Sequence, residues 1–131
     1  MEESSSYTEY KQVIIILKSL KMKDGKLVSQ GSHASVGSLI SDMEENETHF
    51  LIPKTPANIA WLKGSFTKIT LKVDTLEELE SLFNEAQKRG LPSIKITDNG
   101  RTVFKEPTVT AVGIGPAHVN DLDFLSNLKL L

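Results

Sequence analysis

No cysteine occurs in the 131 residues. That removes disulfides, thiolate nucleophiles and Cys-based zinc sites together, and a reducing compartment is the simplest setting, so a cytoplasmic location is expected. Aromatic side chains are scarce, with one Trp and two Tyr, and the chain lacks the stacking platform of a plain RNA-binding module. Long apolar runs are missing as well. The run "VIIIL" at 13–17 falls far below the roughly 18 residues that span a bilayer. No charged stretch precedes an apolar h-region, so neither a membrane segment nor a secretory signal is expected. The formal charge is only −2, which argues against a uniformly basic nucleic-acid binder. A local patch would still suffice to hold phosphates.

Several motifs are absent too. There is no Gly-x-Ser-x-Gly elbow for serine chemistry. "GIGPA" at 113–117 has neither the third glycine of a dinucleotide fingerprint nor the Gly-Lys-Ser/Thr of a P-loop, and reads as a strand-ending turn. His33, His49 and His118 share no metal-site spacing. Neither a metal nor a cofactor is expected.

What is present suits one α/β domain. Hydrophobic residues make up 39% of the chain, enough for a core at this length. "MEESSSYTE" is polar and aperiodic, so residues 1–9 are expected to be a loose tail ahead of a domain over 10–131. "KQVIIILK" is β-branched and apolar on both faces, the pattern of a central strand with layers on either side. "LVSQGSHASVGSLI" reads as a helix whose Val36, Leu39 and Ile40 share a face, while Gly31, Ala34, Gly37 and Ser38 allow close approach to a sheet. Residues 41–54 form an acidic, proline-interrupted surface excursion. "ANIAWLKG" predicts a short helix and "KITLKV" a strand. "DTLEELESLFNEAQKRG" predicts the clearest helix, capped by Asp74 or Thr75, striped by Leu76, Leu79, Leu82, Phe83 and Ala86, and stopped at Gly90. "LPSIKI" and "TVTAVGIG" predict strands, and "AHVNDLDFL" a last short helix. Strands alternating with helices give a layered α/β domain.

Two places invite a functional reading. On the first helix, Lys26, Gln30, His33 and Gly37 lie on one polar line that starts where free N–H groups and the dipole favour an anion. For a lone lysine, a solvated face is the commoner explanation. "TDNGRT" at 97–102 carries the Asn-Gly pair of a tight hairpin, yet Asp98, Arg101 and Thr102 around it equally describe a charged, backbone-constrained site.

In order along the chain, "KQVIIILKSLKMKDGKLVSQGSHASVGSL", "KITLKVDTLEELESLFNEAQKRGLPSIKITDNGRT", "TVTAVGIGPA" and "LKLL" resemble the archaeal and eukaryotic type of peptidyl-tRNA hydrolase. The resemblance runs from about Tyr10 to Leu131 and passes over 41–60. It implies a three-layer α/β/α sandwich with a four-stranded mixed sheet, its last strand antiparallel to the others, and often a homodimer. It also implies hydrolysis of the ester between a peptide and the 3′ end of tRNA, recycling peptidyl-tRNA from abortive translation. The functional positions it carries over are Lys26, His33, Asp98, Thr102 and Thr110.

An aminoacyl ester is already activated, so the tasks left are to place a water and stabilise an oxyanion. Asp98 is the candidate to orient or deprotonate that water, with Thr102 and Thr110 donating or relaying hydrogen bonds. Lys26 suits either the oxyanion or a phosphate, and His33 either a base or a structural role. Lys18, Lys21, Lys23, Arg101 and Lys105 are the candidate contacts to the acceptor end of tRNA. Leu17, Ser19 and Val103 depart from the family pattern. An alternative reading is a non-catalytic relative that keeps the fold as a protein-interaction module.

Overall fold

The run Val13–Ile14–Ile15–Ile16–Leu17 is buried throughout, and alternation sends its side chains to both faces of a sheet. The computed structural model describes residues 9–100 and 104–131. The chain passes through β1 (Tyr10–Leu17), a 3-10 turn (Lys18–Leu20), α1 (Asp24–Leu39), β2 (Glu44–Glu45), β3 (Phe50–Leu51) and α2 (Pro56–Leu62). It continues through β4 (Lys68–Val73), α3 (Leu76–Lys88), β5 (Ser93–Asp98), β6 (Thr108–His118), a 3-10 segment (Val119–Leu125) and β7 (Lys129–Leu130). No helix among the described residues is long and apolar enough to cross a membrane.

The main sheet has the order β5-β6-β1-β4-β7, so the doubly apolar β1 is the central strand. β4 runs parallel to β1, and β6 is antiparallel to both β1 and β5. Five strands form this mixed sheet where four are expected from the sequence. The addition is β7, in which Leu130 pairs with Leu71 and Lys129 with Lys72; two residues are too few to show a period. The acidic excursion folds as a β2–β3 hairpin, and every residue from 41 to 50 is exposed. The last predicted helix is a 3-10 segment.

Val13, Ile15 and Leu17 face one core with Leu71, Val73, Leu79, Ala86, Val112 and Ile114. There α3 lays down its stripe, and its start is a capping box in which Thr75 accepts from Glu78 N while the Glu78 carboxylate accepts from Thr75 N. Ile14 and Ile16 face the other way, toward Ala34 of α1 and Ala111 of β6. The buried face of α1 is its small and polar one, Gln30, Ala34 and Ser38, whereas Val36 is 56% exposed. The reason is distance. A Cβ placed on Gly113 would lie 2.2 Å from Ala34 O, and one on Gly37 would lie 3.1 Å from Ile94, so at these points there is no room for a side chain between this helix and the sheet. Polar groups complete the seam: Gln12 Nε2 donates to Ser35 O at 2.9 Å, and Ser38 Oγ donates to Gly115 O at 2.6 Å.

Candidate active site

Close packing of α1 on the sheet brings its first turn beside the end of β5. Lys26 lies in that first turn, and its Nζ donates to Asp98 Oδ2 at the last residue of β5. The two side chains are only 14% and 9% exposed, so the ion pair is largely out of water and its charges interact strongly. The Lys26 ammonium also lies 5.1 Å from the centre of the Phe104 ring, within cation–π reach.

The other carboxylate oxygen is fixed locally. Gly100 N donates to Asp98 Oδ1 at 2.9 Å, an Asx turn. Gly100 takes a φ of +81°, and a Cβ there would meet the Glu106 backbone at 3.0 Å, so both conformation and space call for glycine. β5 ends at Asp98 and β6 begins at Thr108, so the two strands are not joined by a two-residue hairpin. Asn99-Gly100 makes a turn, and that turn holds Asp98 in place.

One helical turn after Lys26, Gln30 accepts through Oε1 from Thr110 Oγ1 at 2.5 Å. Both side chains are buried. A β-bulge puts Thr110 there: Ile96 pairs with Ala111 and Thr97 with Val109, and Thr110 is passed over. Strict alternation would send Thr110 to the α3 side with Val112 and Ile114, but the extra residue turns it toward α1.

His33 stands on the next turn of α1 beyond Gln30 and is exposed. Lys18, Lys21 and Lys23 are exposed between β1 and the first turn of α1, around the end that carries Lys26. Lys105, next to Phe104, is exposed as well. Arg101, Thr102 and Val103 lie outside the described residues.

The family model for "Peptidyl-tRNA hydrolase PTH2" matches residues 10–131. The chain belongs to this family. Among PTH2-related proteins, a peptidyl-tRNA hydrolase from Methanopyrus kandleri is 38% identical over 87% of this chain and 90% of its own length. One from Methanocaldococcus jannaschii is 35% identical over 92% of this chain and 99% of its own length. A third, from Saccharolobus solfataricus, is 36% identical over 92% and 98%.

Two residues near the Lys26–Asp98 pair, Gln30 and Phe104, are not among the catalytic or tRNA-binding candidates read from sequence. Gln30 carries a signal, since it shares the helical line of Lys26, but its type alone suggests a solvated face. Phe104 carries none; only the folded course of its loop brings the ring to Lys26.

Proposed function

We propose that this chain is a peptidyl-tRNA hydrolase: it cleaves the ester that joins a peptide, or an N-blocked aminoacyl group, to the 3′-terminal ribose of tRNA. The observation that carries this reading is the largely buried Lys26–Asp98 pair in a chain of the PTH2 family. Helices on both faces of the sheet agree with the three-layer fold expected of that family, with β5, β6, β1 and β4 as its four long strands.

The reaction needs a water held against the ester carbonyl and somewhere for the developing negative charge. Asp98, an acceptor-only carboxylate held in place by Lys26 and by Gly100 N, is the group that orients the water. That water adds through its oxygen to the carbonyl carbon as Asp98 takes its proton. The tetrahedral intermediate collapses, the bond to the ribose 3′ oxygen breaks, and the proton passes to that oxygen. No covalent enzyme intermediate is required. Lys26 holds Asp98 in position and adds positive potential on the side where the oxyanion and the acceptor-end phosphates gather. Thr102 and His33 remain assigned to the same site, in hydrogen bonding and in a basic or structural role respectively.

Lys18, Lys21, Lys23, Arg101 and Lys105 form the rim that takes the acceptor end in this reading, and a cytoplasmic homodimer belongs to it. Incubation of the purified protein with an N-blocked aminoacyl-tRNA, following the release of free tRNA, tests it. Absence of release by the folded protein would favour a non-catalytic relative instead.

A further inference from the structure

Gln30 is 3% exposed, an unusual place for a long amide on the first half of a helix. One half of that amide is accounted for: Oε1 accepts the hydroxyl proton of Thr110 at 2.5 Å. The other half is Nε2, a donor of two N–H groups, and it meets no protein acceptor among the described residues. No side-chain nitrogen or oxygen there is both fully buried and without a partner, so Nε2 opens onto solvent-accessible space. Thr110 itself is completely buried, and no other hydrogen bond of its hydroxyl is found among the described residues. It therefore has no surface to offer a substrate, and it determines which way the amide faces.

We infer that Gln30 is the oxyanion-stabilising residue of this site and that Thr110 is its positioning residue. The inference rests on the hydrolysis proposed above. As the water oxygen bonds to the carbonyl carbon, the π pair moves onto the carbonyl oxygen, and Gln30 Nε2–H donates to it. When the bond to the ribose oxygen breaks, that pair returns to re-form the carbonyl. The donor is fixed before the charge develops, because the bulge aims Thr110 and Thr110 aims the amide. Lys26, one helical turn earlier on the same line and bonded to Asp98, then serves the carboxylate first.

The test measures single-turnover and steady-state hydrolysis of an N-blocked aminoacyl-tRNA by the wild-type protein and by Gln30→Glu, Gln30→Met, Thr110→Val and Thr110→Ser, after thermal melting shows each to be folded. Gln30→Glu keeps the acceptor for Thr110 and removes both donors. Gln30→Met should lose about 10²-fold in kcat, the scale of one oxyanion donor, with KM and the pH dependence of kcat unchanged, and Gln30→Glu, which also sets a carboxylate beside the oxyanion, should lose at least as much. Thr110→Val should lose less and Thr110→Ser should recover. Gln30→Met combined with Thr110→Val should be no slower than Gln30→Met alone, because Thr110 acts only through the amide. Full kcat in folded Gln30→Glu, or losses that multiply in the double variant, would overturn the inference while leaving wild-type hydrolysis intact. A wild-type protein without hydrolysis would overturn it together with the proposed function.

Discussion

Lys26 and Asp98, 72 positions apart in sequence, meet as an ion pair that joins the first turn of α1 to the last residue of β5. Each partner is held by a separate device: Lys26 by the close seating of α1, with Ala34 over Gly113 of β6 and Gly37 against Ile94 of β5, Asp98 by the Asx turn to Gly100 N. The pair is therefore placed before any substrate arrives.

Removing one partner tests how much that placement matters. Lys26→Ala leaves the Asp98 carboxylate largely out of water without its ammonium, and should cost about 1–3 kcal/mol of stability, the scale of a stranded polar group. Hydrolysis should fall as well. Adding Asp98→Asn to Lys26→Ala should cost less than the product of the two single losses, because the residues act as a unit. Urea denaturation and initial rates on the same preparations measure both effects. Strictly multiplicative rates would mean that the two residues act independently.

The seat of α1 has its own test. A Cβ on Gly113 would come within 2.2 Å of Ala34 O, a helix backbone oxygen that cannot swing aside. Gly113→Ala should push the helix from the sheet and destabilise the protein by about 3 kcal/mol, the upper range for overpacking. Gly25→Ala is the control, since nothing lies within 4 Å of a Cβ there. Equal midpoints for the two variants in denaturant would show that the helix is not seated so tightly.

The lysines around the first turn of α1 predict salt dependence. If Lys18, Lys21, Lys23 and Lys105 hold phosphates, each contact releases counterions, and binding of tRNA should weaken steeply as salt rises. Charge reversal at Lys21 and Lys23 should weaken binding and flatten that slope while leaving turnover at saturating substrate in place. A slope unchanged by the reversal would move the tRNA to another face.

Much of this architecture is legible in the residues themselves. The doubly apolar β1 announces a central strand, and the stripe of Leu76, Leu79, Leu82, Phe83 and Ala86 announces α3. The small residues of α1 foretell its close approach to the sheet. They also explain why Val36 turns outward, since a helix that near has room for Ala34 and Ser38 but not for a branched side chain. β7 escapes because its order comes entirely from its neighbour, β4. The Thr110 bulge escapes for a related reason: "TVTAVGIG" reads as an unbroken strand, and only pairing with β5 reveals the skipped residue. At the site, Lys26 and Asp98 are visible as residue types, but their contact and the Phe104 ring belong to the fold.

Asp98→Asn is the most direct test of the central claim. Asparagine suits the Asx turn as well as aspartate and still accepts from Gly100 N, so the loop should keep its shape and thermal melting should confirm a folded protein. What the change removes is a basic carboxylate oxygen. Hydrolysis of an N-blocked aminoacyl-tRNA by Asp98→Asn should fall by roughly 10²-fold or more, the scale of a positioned acid–base group, while binding of the uncleaved substrate survives. A folded Asp98→Asn protein that hydrolyses at the wild-type rate would contradict the account and reduce "TDNGRT" to a turn.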